Sequence, residues 1–221
     1  MPPFVLLSDP RVAAVPIRET GERLVDLRDV DAIRLDDRMA GAGTAYAHVR
    51  VSVADRLVAA QCRLPRDLRL LVVEGYRLRV VQERDFASSR ARIARANPDW
   101  TEERVWREAA TFVSPPEVAP HVSGGAVDLT LCTEGGLELP MGTAVNDTPP
   151  EYGPECFTAS LAIDAEARAN RSTLIEAMSA SGFVNYPSEW WHWSYGDRYW
   201  ALVTGTAHAP YGPATLTSRR G

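Results

Sequence analysis

The chain has 221 residues, 45% of them hydrophobic, enough to bury one substantial core and suited to one domain better than two. A formal charge of −5 offers little to a phosphate backbone, and no face-sized cluster of arginines offsets it, so nucleic acid is not expected as a partner. All 24 basic residues are arginine, which excludes Schiff-base chemistry on a lysine, a lysine-bearing phosphate loop and a Ser-Lys pair.

The first ten residues lack the basic start and apolar run of a secretory signal, and no later segment is apolar enough to span a bilayer, so a soluble cytoplasmic protein is expected. Cys62, Cys132 and Cys156 are odd in number and widely spaced, which suggests reduced, mostly buried residues and no thiolate metal site. Residues 1–50 mix short apolar runs with Asp and Arg and predict a wrapping segment with one or two strands. Helical spacing over 51–62, stopped by Pro65, precedes a strand over 68–73 that ends at Glu74-Gly75-Tyr76-Arg77, where glycine frees the backbone to turn out of a sheet.

Residues 79–96 are rich in Arg, Ala and Glu without a breaker, and Asp99-Trp100-Thr101-Glu102 has the spacing of a capping box opening a further helix to about 111. Beyond Ser114-Pro115-Pro116, residues 125–132 alternate, with Val127, Leu129 and Leu131 on one side and Asp128 on the other. A turn at Gly135-Gly136 and residues 137–139 suggest a hairpin, followed by a loop from Met141 to Pro154. Residues 164–180 predict a helix capped by Asp164, with Ala165, Ala169, Leu174, Ile175 and Met178 facing a core. Residues 183–185, 190–194 and 199–203 read as extended, the last two joined through Gly196-Asp197-Arg198, and 204–221 as an irregular tail. The pattern predicts an α+β domain spanning 1–221, with a mainly antiparallel sheet and helices packed on it.

Of four histidines, His48 and His208 are assigned to structure or surface, and His121 and His192 sit in acidic, glycine-marked surroundings. His121 lies seven residues before Asp128, a spacing that a buried structural histidine with a turn-capping aspartate would also explain. Glu189-Trp190-Trp191-His192-Trp193 places a carboxylate three residues before an imidazole, as would a strand edge with a salt-bridged glutamate. Together the two segments offer two nitrogens and one oxygen, which leaves zinc an open position and so suits catalysis rather than structure. Glu189 is then the candidate to accept a proton from water and pass it to a leaving amine. The tryptophans are expected to pack the core or wall the pocket.

At these residues the chain resembles the D-alanyl-D-alanine dipeptidases of the zinc D-Ala-D-Ala peptidase group. The family's His-x-x-Gly-x-Ala-x-Asp motif is matched by His121, Gly124, Ala126 and Asp128, and its Glu-Trp-Trp-His-aromatic motif by Glu189 to Trp193. Gly75-Tyr76-Arg77 stands where the family has a Gly-Tyr-Arg turn, and the likeness covers roughly residues 50–203. The resemblance implies the D-Ala-D-Ala metallopeptidase fold, which zinc-bearing signalling domains of the Hedgehog kind share. It implies one zinc ion per chain on His121, Asp128 and His192, Glu189 as proton shuttle and Arg77 as oxyanion stabiliser.

It also points to Asp147, Asn146, Ser123 and Tyr76 as candidate substrate contacts. Two departures bear on substrate. Ala119 stands where the family's resistance enzymes carry a substrate-binding serine, and Asn146 precedes Asp147 where they carry an aspartate for the substrate amine. The implied partner is a small D,D-dipeptide. The alternatives are a related amide or peptidoglycan stem, and a zinc-bearing binding module without catalysis.

Overall fold

Alternation along one segment, with apolar residues on one side and Asp128 on the other, makes a strand that faces a core and a site at once. The sheet is built around it. The structure is a computed structural model describing residues 4–41, 43–147 and 153–216. Its elements are α1 (Pro10–Ala14), β1 (Leu24–Asp26), β2 (Arg34–Leu35), β3 (His48–Arg50), α2 (Val51–Gln61), β4 (Leu68–Glu74), α3 (Arg79–Ala96), α4 (Glu102–Phe112), β5 (Ala126–Thr133), α5 (Ala165–Ala180), β6 (Val184–Tyr186), β7 (Glu189–Ser194) and α6 (Arg198–Thr204). The five-stranded sheet has the order β2-β4-β5-β7-β6, parallel only between β2 and β4, and β1 pairs antiparallel with β3. The fold is α+β, with a mainly antiparallel sheet.

On the apolar face, Leu70 and Val72 of β4, Val127, Leu129 and Leu131 of β5 and Trp193 of β7 meet Val53 and Leu57 of α2 and Leu174 and Met178 of α5. Burying such side chains contributes about 1.5–3 kcal/mol each, so this sheet–helix layer carries most of the apolar driving force. Helices α3 and α4 pack on each other through Phe86, Ile93, Val105, Ala109 and Ala110. The amino-terminal segment wraps: Leu7 and Val12 pack on Tyr186 and Tyr199, while Leu27, Ile33 and Val49 enter the main core. Among the described residues no helix is long and apolar enough to cross a membrane.

The polar face is set by register. Asp128 of β5 pairs with Glu74 of β4 on one side and His192 of β7 on the other, so three ionisable side chains line up across three strands. A bulge in β4 makes this possible: Val72 faces Leu129 and Glu74 faces Asp128, and the extra residue between them turns Glu74 to the polar face.

Several expectations need correction. Residues 199–203 are not a strand but lie in α6; the Asp197 carboxylate accepts the Trp200 N–H at 2.9 Å as a helix cap, and that start signal outweighs the β-propensity of the aromatic run. The cap of α4 is Thr101, whose hydroxyl accepts the Arg104 N–H, rather than Asp99. Ala165 and Ala169 are exposed, and Ala167, Arg171 and Ala177 take their places on the buried face of α5. Residues 137–139 return along β5 only through the Cys132–Glu138 bridge, short of a hairpin strand.

Candidate active site

A short 3-10 turn, Pro120–Ser123, carries His121 and ends at Gly124, whose left-handed backbone (φ 72°) sends the chain back into β5. A Cβ there would lie 2.5 Å from Leu24 Cδ2, the movable end of a side chain, so it is the left-handed backbone that calls for glycine at this turn. The result puts His121 beside Asp128. The Asp128 Oδ1 atom is 3.3 Å from His121 Nε2 and 3.0 Å from His192 Nδ1, and the two ring nitrogens are 3.2 Å apart. All three residues are buried.

The opposite nitrogen of His121, Nδ1, donates to the Gly75 carbonyl at 2.7 Å, which fixes the proton there and leaves Nε2 with its lone pair turned to the cluster. Burial by itself would raise the Asp128 carboxyl, but His121 and His192 outweigh it and hold the group far below the usual carboxylate range. Two imidazoles and an ionised carboxylate converging in a buried space need a proton or a cation between them. Their ligand atoms lie within 4.8 Å of one another, and a set of two nitrogens and one oxygen suits a borderline divalent ion.

Glu189, at the start of β7, has Oε2 4.0 Å from His192 Nδ1. A quarter of its side chain is exposed, to the cleft, yet burial pushes its carboxyl up to about 7; nearby Asp128 adds to the rise, and His192 and Arg77 oppose it. Arg77 leaves the end of β4 and is held by residues that sequence reasoning missed. Glu74 takes Nε at 2.7 Å and Nη2 at 2.5 Å, and the Gln82 side-chain carbonyl accepts from Nη1 at 2.8 Å. Glu74 was detectable as a lone acid ending an otherwise apolar strand pattern; Gln82, on α3, gave no signal. The Arg77 N–H donates to the His121 carbonyl at 3.2 Å, so the Gly-Tyr-Arg turn and the histidine turn are bonded in both directions.

These groups open onto a cavity of about 620 Å³ lined by His121, Asp128, His192, Glu189 and Arg77 together with Phe4, Leu7, Met39, Phe157 and Trp191. Asn146 and Asp147 line it as expected, and Ala119 does too. Tyr76 and Ser123 do not: the Tyr76 hydroxyl donates to the Ala214 carbonyl, and the Ser123 hydroxyl donates to Pro120 and accepts from Gly125. Both brace backbone instead. Asp147 Oδ2 accepts the Ala144 N–H at 2.7 Å, and Arg171 anchors the same loop by donating to the carbonyls of Met141, Glu155 and Phe157. Residues 148–152 of this loop lie outside the described residues.

Residues 37–207 match the family model described as D-ala-D-ala dipeptidase, peptidase M15. The chain is 27% identical to a D-alanyl-D-alanine dipeptidase of Synechocystis, over 88% of this chain and 90% of that protein. It is 36% identical to a D-alanyl-D-alanine dipeptidase of Escherichia coli over 33% of this chain and 35% of the other. Among solved structures, the LdcB LD-carboxypeptidase aligns with a TM-score of 0.46 and 16% identity over 87% of this chain and 77% of that one. With more than three-quarters of its length inside the family model, this chain belongs to the peptidase M15 family of D-Ala-D-Ala dipeptidases and is a metallopeptidase.

Proposed function

We propose that the chain hydrolyses the amide bond of D-alanyl-D-alanine, with one zinc ion held by His121, Asp128 and His192, Glu189 as the proton carrier and Arg77 as the oxyanion stabiliser. The observation that carries this reading is the convergence of His121 Nε2, His192 Nδ1 and Asp128 Oδ1, with Glu189 and Arg77 facing the same cavity. When bound, zinc supplies Lewis-acid polarisation and lowers the pKa of water at the site.

The chain's own residues supply the rest. Glu189, whose carboxyl is raised towards neutrality, is poised both to take a proton from water and to return it to the departing amine. Arg77 is charged at any working pH, and its clamp holds it ready to face the oxygen on which charge develops. Phe4, Leu7, Met39 and Phe157 give the cavity an apolar wall, beside which these electrostatic contacts are screened less than in open water.

The test is amine release from D-Ala-D-Ala by zinc-loaded protein, beside L-Ala-L-Ala and a chelated control. Cleavage of the D,D-dipeptide that chelation abolishes and zinc restores is the expected result. Zinc-bound protein without that cleavage would refute the proposed substrate, and cleavage that survives chelation would refute the metal's role.

A further inference from the structure

The turn that carries His121 borrows its hydrogen bonds from distant parts of the chain. The last carbonyls of a short helical turn have no partner within it, and those of Val122, Ser123 and Gly124 take donors from two other segments. Arg50, at the end of β3, supplies two: its backbone N–H reaches the Gly124 carbonyl at 3.0 Å and its Nε the Ser123 carbonyl at 2.8 Å. The third comes from the carboxy-terminal segment, where the Ala214 N–H donates to the Val122 carbonyl at 2.8 Å.

Arg50 also ties that segment to the amino-terminal one. Its side chain is buried, and all five guanidinium N–H groups find acceptors. Besides the bond to Ser123, Nη1 meets the Glu22 carbonyl and, at 3.1 Å, Glu19 Oε1, while Nη2 meets Glu19 Oε2 at 3.2 Å and the Gly212 carbonyl at 3.1 Å. Glu19 Oε2 accepts the Gly212 N–H at 2.6 Å, and Tyr76, next to Arg77, donates its hydroxyl to the Ala214 carbonyl at 2.8 Å. Glu19, Glu22 and residues 211–214 lie outside residues 37–207, which match the family model, yet they converge on the turn that carries a candidate metal ligand. A buried cation is stabilising only when its donors are met, and here the acceptors come from three separate segments, which locks those segments to one another.

We propose that Arg50 and the segment from Tyr211 to Ala214 are positioning elements of the metal site. Acting through the carbonyls of Val122, Ser123 and Gly124, they hold the His121 turn in the pose that sets Nε2 beside Asp128 and His192 before an ion arrives. A ligand held in place beforehand loses less freedom when the ion binds, so the network raises metal affinity without touching the ion. The inference rests on the ligand set proposed above.

The experiment measures zinc Kd by chelator competition, and the urea midpoint of the metal-free protein, in the full-length wild type, Arg50→Lys, Glu19→Gln, Tyr76→Phe and a control, Ile93→Val, in the separate core between α3 and α4. Lysine keeps the charge but replaces a rigid five-donor fork by a point charge. Arg50→Lys should weaken zinc binding about 10- to 100-fold, the range for outer contacts that orient a metal ligand. Glu19→Gln and Tyr76→Phe should each weaken it about three- to tenfold, the value of one hydrogen bond. Ile93→Val should lower the urea midpoint and leave Kd unchanged, because lost stability alone does not alter the site of the folded protein. A Kd within about twofold of wild type in Arg50→Lys, or in both Glu19→Gln and Tyr76→Phe should Arg50→Lys not fold, would overturn the inference and leave the proposed function standing, as would an equal loss of affinity in Ile93→Val. Wild type that binds no zinc would overturn both.

Discussion

Glu74 grips Arg77 at two points, Nε to Oε1 at 2.7 Å and Nη2 to Oε2 at 2.5 Å, at the bulged end of β4 beside Asp128. With Gln82 on the third nitrogen, one N–H on each terminal nitrogen of Arg77 remains open to a ligand. The long side chain has lost its rotamer freedom on folding, so little further entropy is lost when it meets a substrate oxygen.

Arg77→Ala is therefore expected to lower kcat about 100- to 1,000-fold, the scale of one lost oxyanion donor. Glu74→Gln, which keeps the guanidinium but breaks its charged two-point hold, should cost about tenfold or more. Steady-state kinetics with metal content measured alongside checks both. A rise in KM with kcat intact would assign Arg77 to ground-state binding instead.

Metal loading should appear as stability. Zinc at about 1,000 times its Kd stabilises a protein by about 4 kcal/mol, so adding zinc to chelated wild type should raise Tm by several degrees. His121→Ala and Asp128→Ala should abolish both that shift and stoichiometric zinc. An undiminished shift in the double variant would refute the ligand assignment.

Glu189 gives a pH signature in the metal-free protein. Its folded pKa is raised to about 7 from an unfolded value near 4.3, so the native state holds the proton more tightly. The stability this contributes is fully present below the unfolded pKa and is lost as pH rises through the folded one. Between pH 5 and 8, chelated wild type should lose stability relative to chelated Glu189→Gln, by on the order of 2 kcal/mol. Denaturant titrations at both pH values measure this, and parallel behaviour of the two proteins would contradict it.

Arg171 is a buried cation that donates to the carbonyls of Met141, Phe157 and Glu155 at 2.7, 2.8 and 2.9 Å, and burial lowers its pKa to about 10. Arg171→Met leaves those carbonyls without their donor and should cost about 3 kcal/mol or more, seen as a lower urea midpoint. The loop they belong to carries Asn146 and Asp147, so KM should rise more than kcat falls. An unchanged KM in folded variant would separate the anchor from substrate binding.

Legibility in the sequence followed the reach of each signal. Helices α2 and α5 and strands β4, β5 and β7 follow from apolar patterning and α3 from a breaker-free run of Arg, Ala and Glu, and the alternation along β5 already turned Asp128 away from the core. His121, Asp128, Glu189 and His192 stood out through composition, because few histidines occur and each lies near an acid. The rest depended on tertiary register. Nothing local says that a bulge will aim Glu74 at Asp128, or that Gln82 will reach Arg77 from a helix. Tyr76 and Ser123 sit inside the right motifs, yet their hydroxyls brace backbone: that of Tyr76 meets Ala214, far along the chain, and that of Ser123 closes its own turn between Pro120 and Gly125. Residues 199–203 were misread because apolar and aromatic side chains suit both a strand and a packed helix, and the cap on Asp197 decided between them.

The most direct test of the proposed chemistry is zinc stoichiometry and turnover measured together in Glu189→Gln. The predicted result is wild-type zinc with kcat reduced at least 100-fold, since the substitution removes the proton carrier and leaves His121, Asp128 and His192 in place. Turnover within a few-fold of wild type, with zinc bound, would contradict Glu189 as the proton carrier.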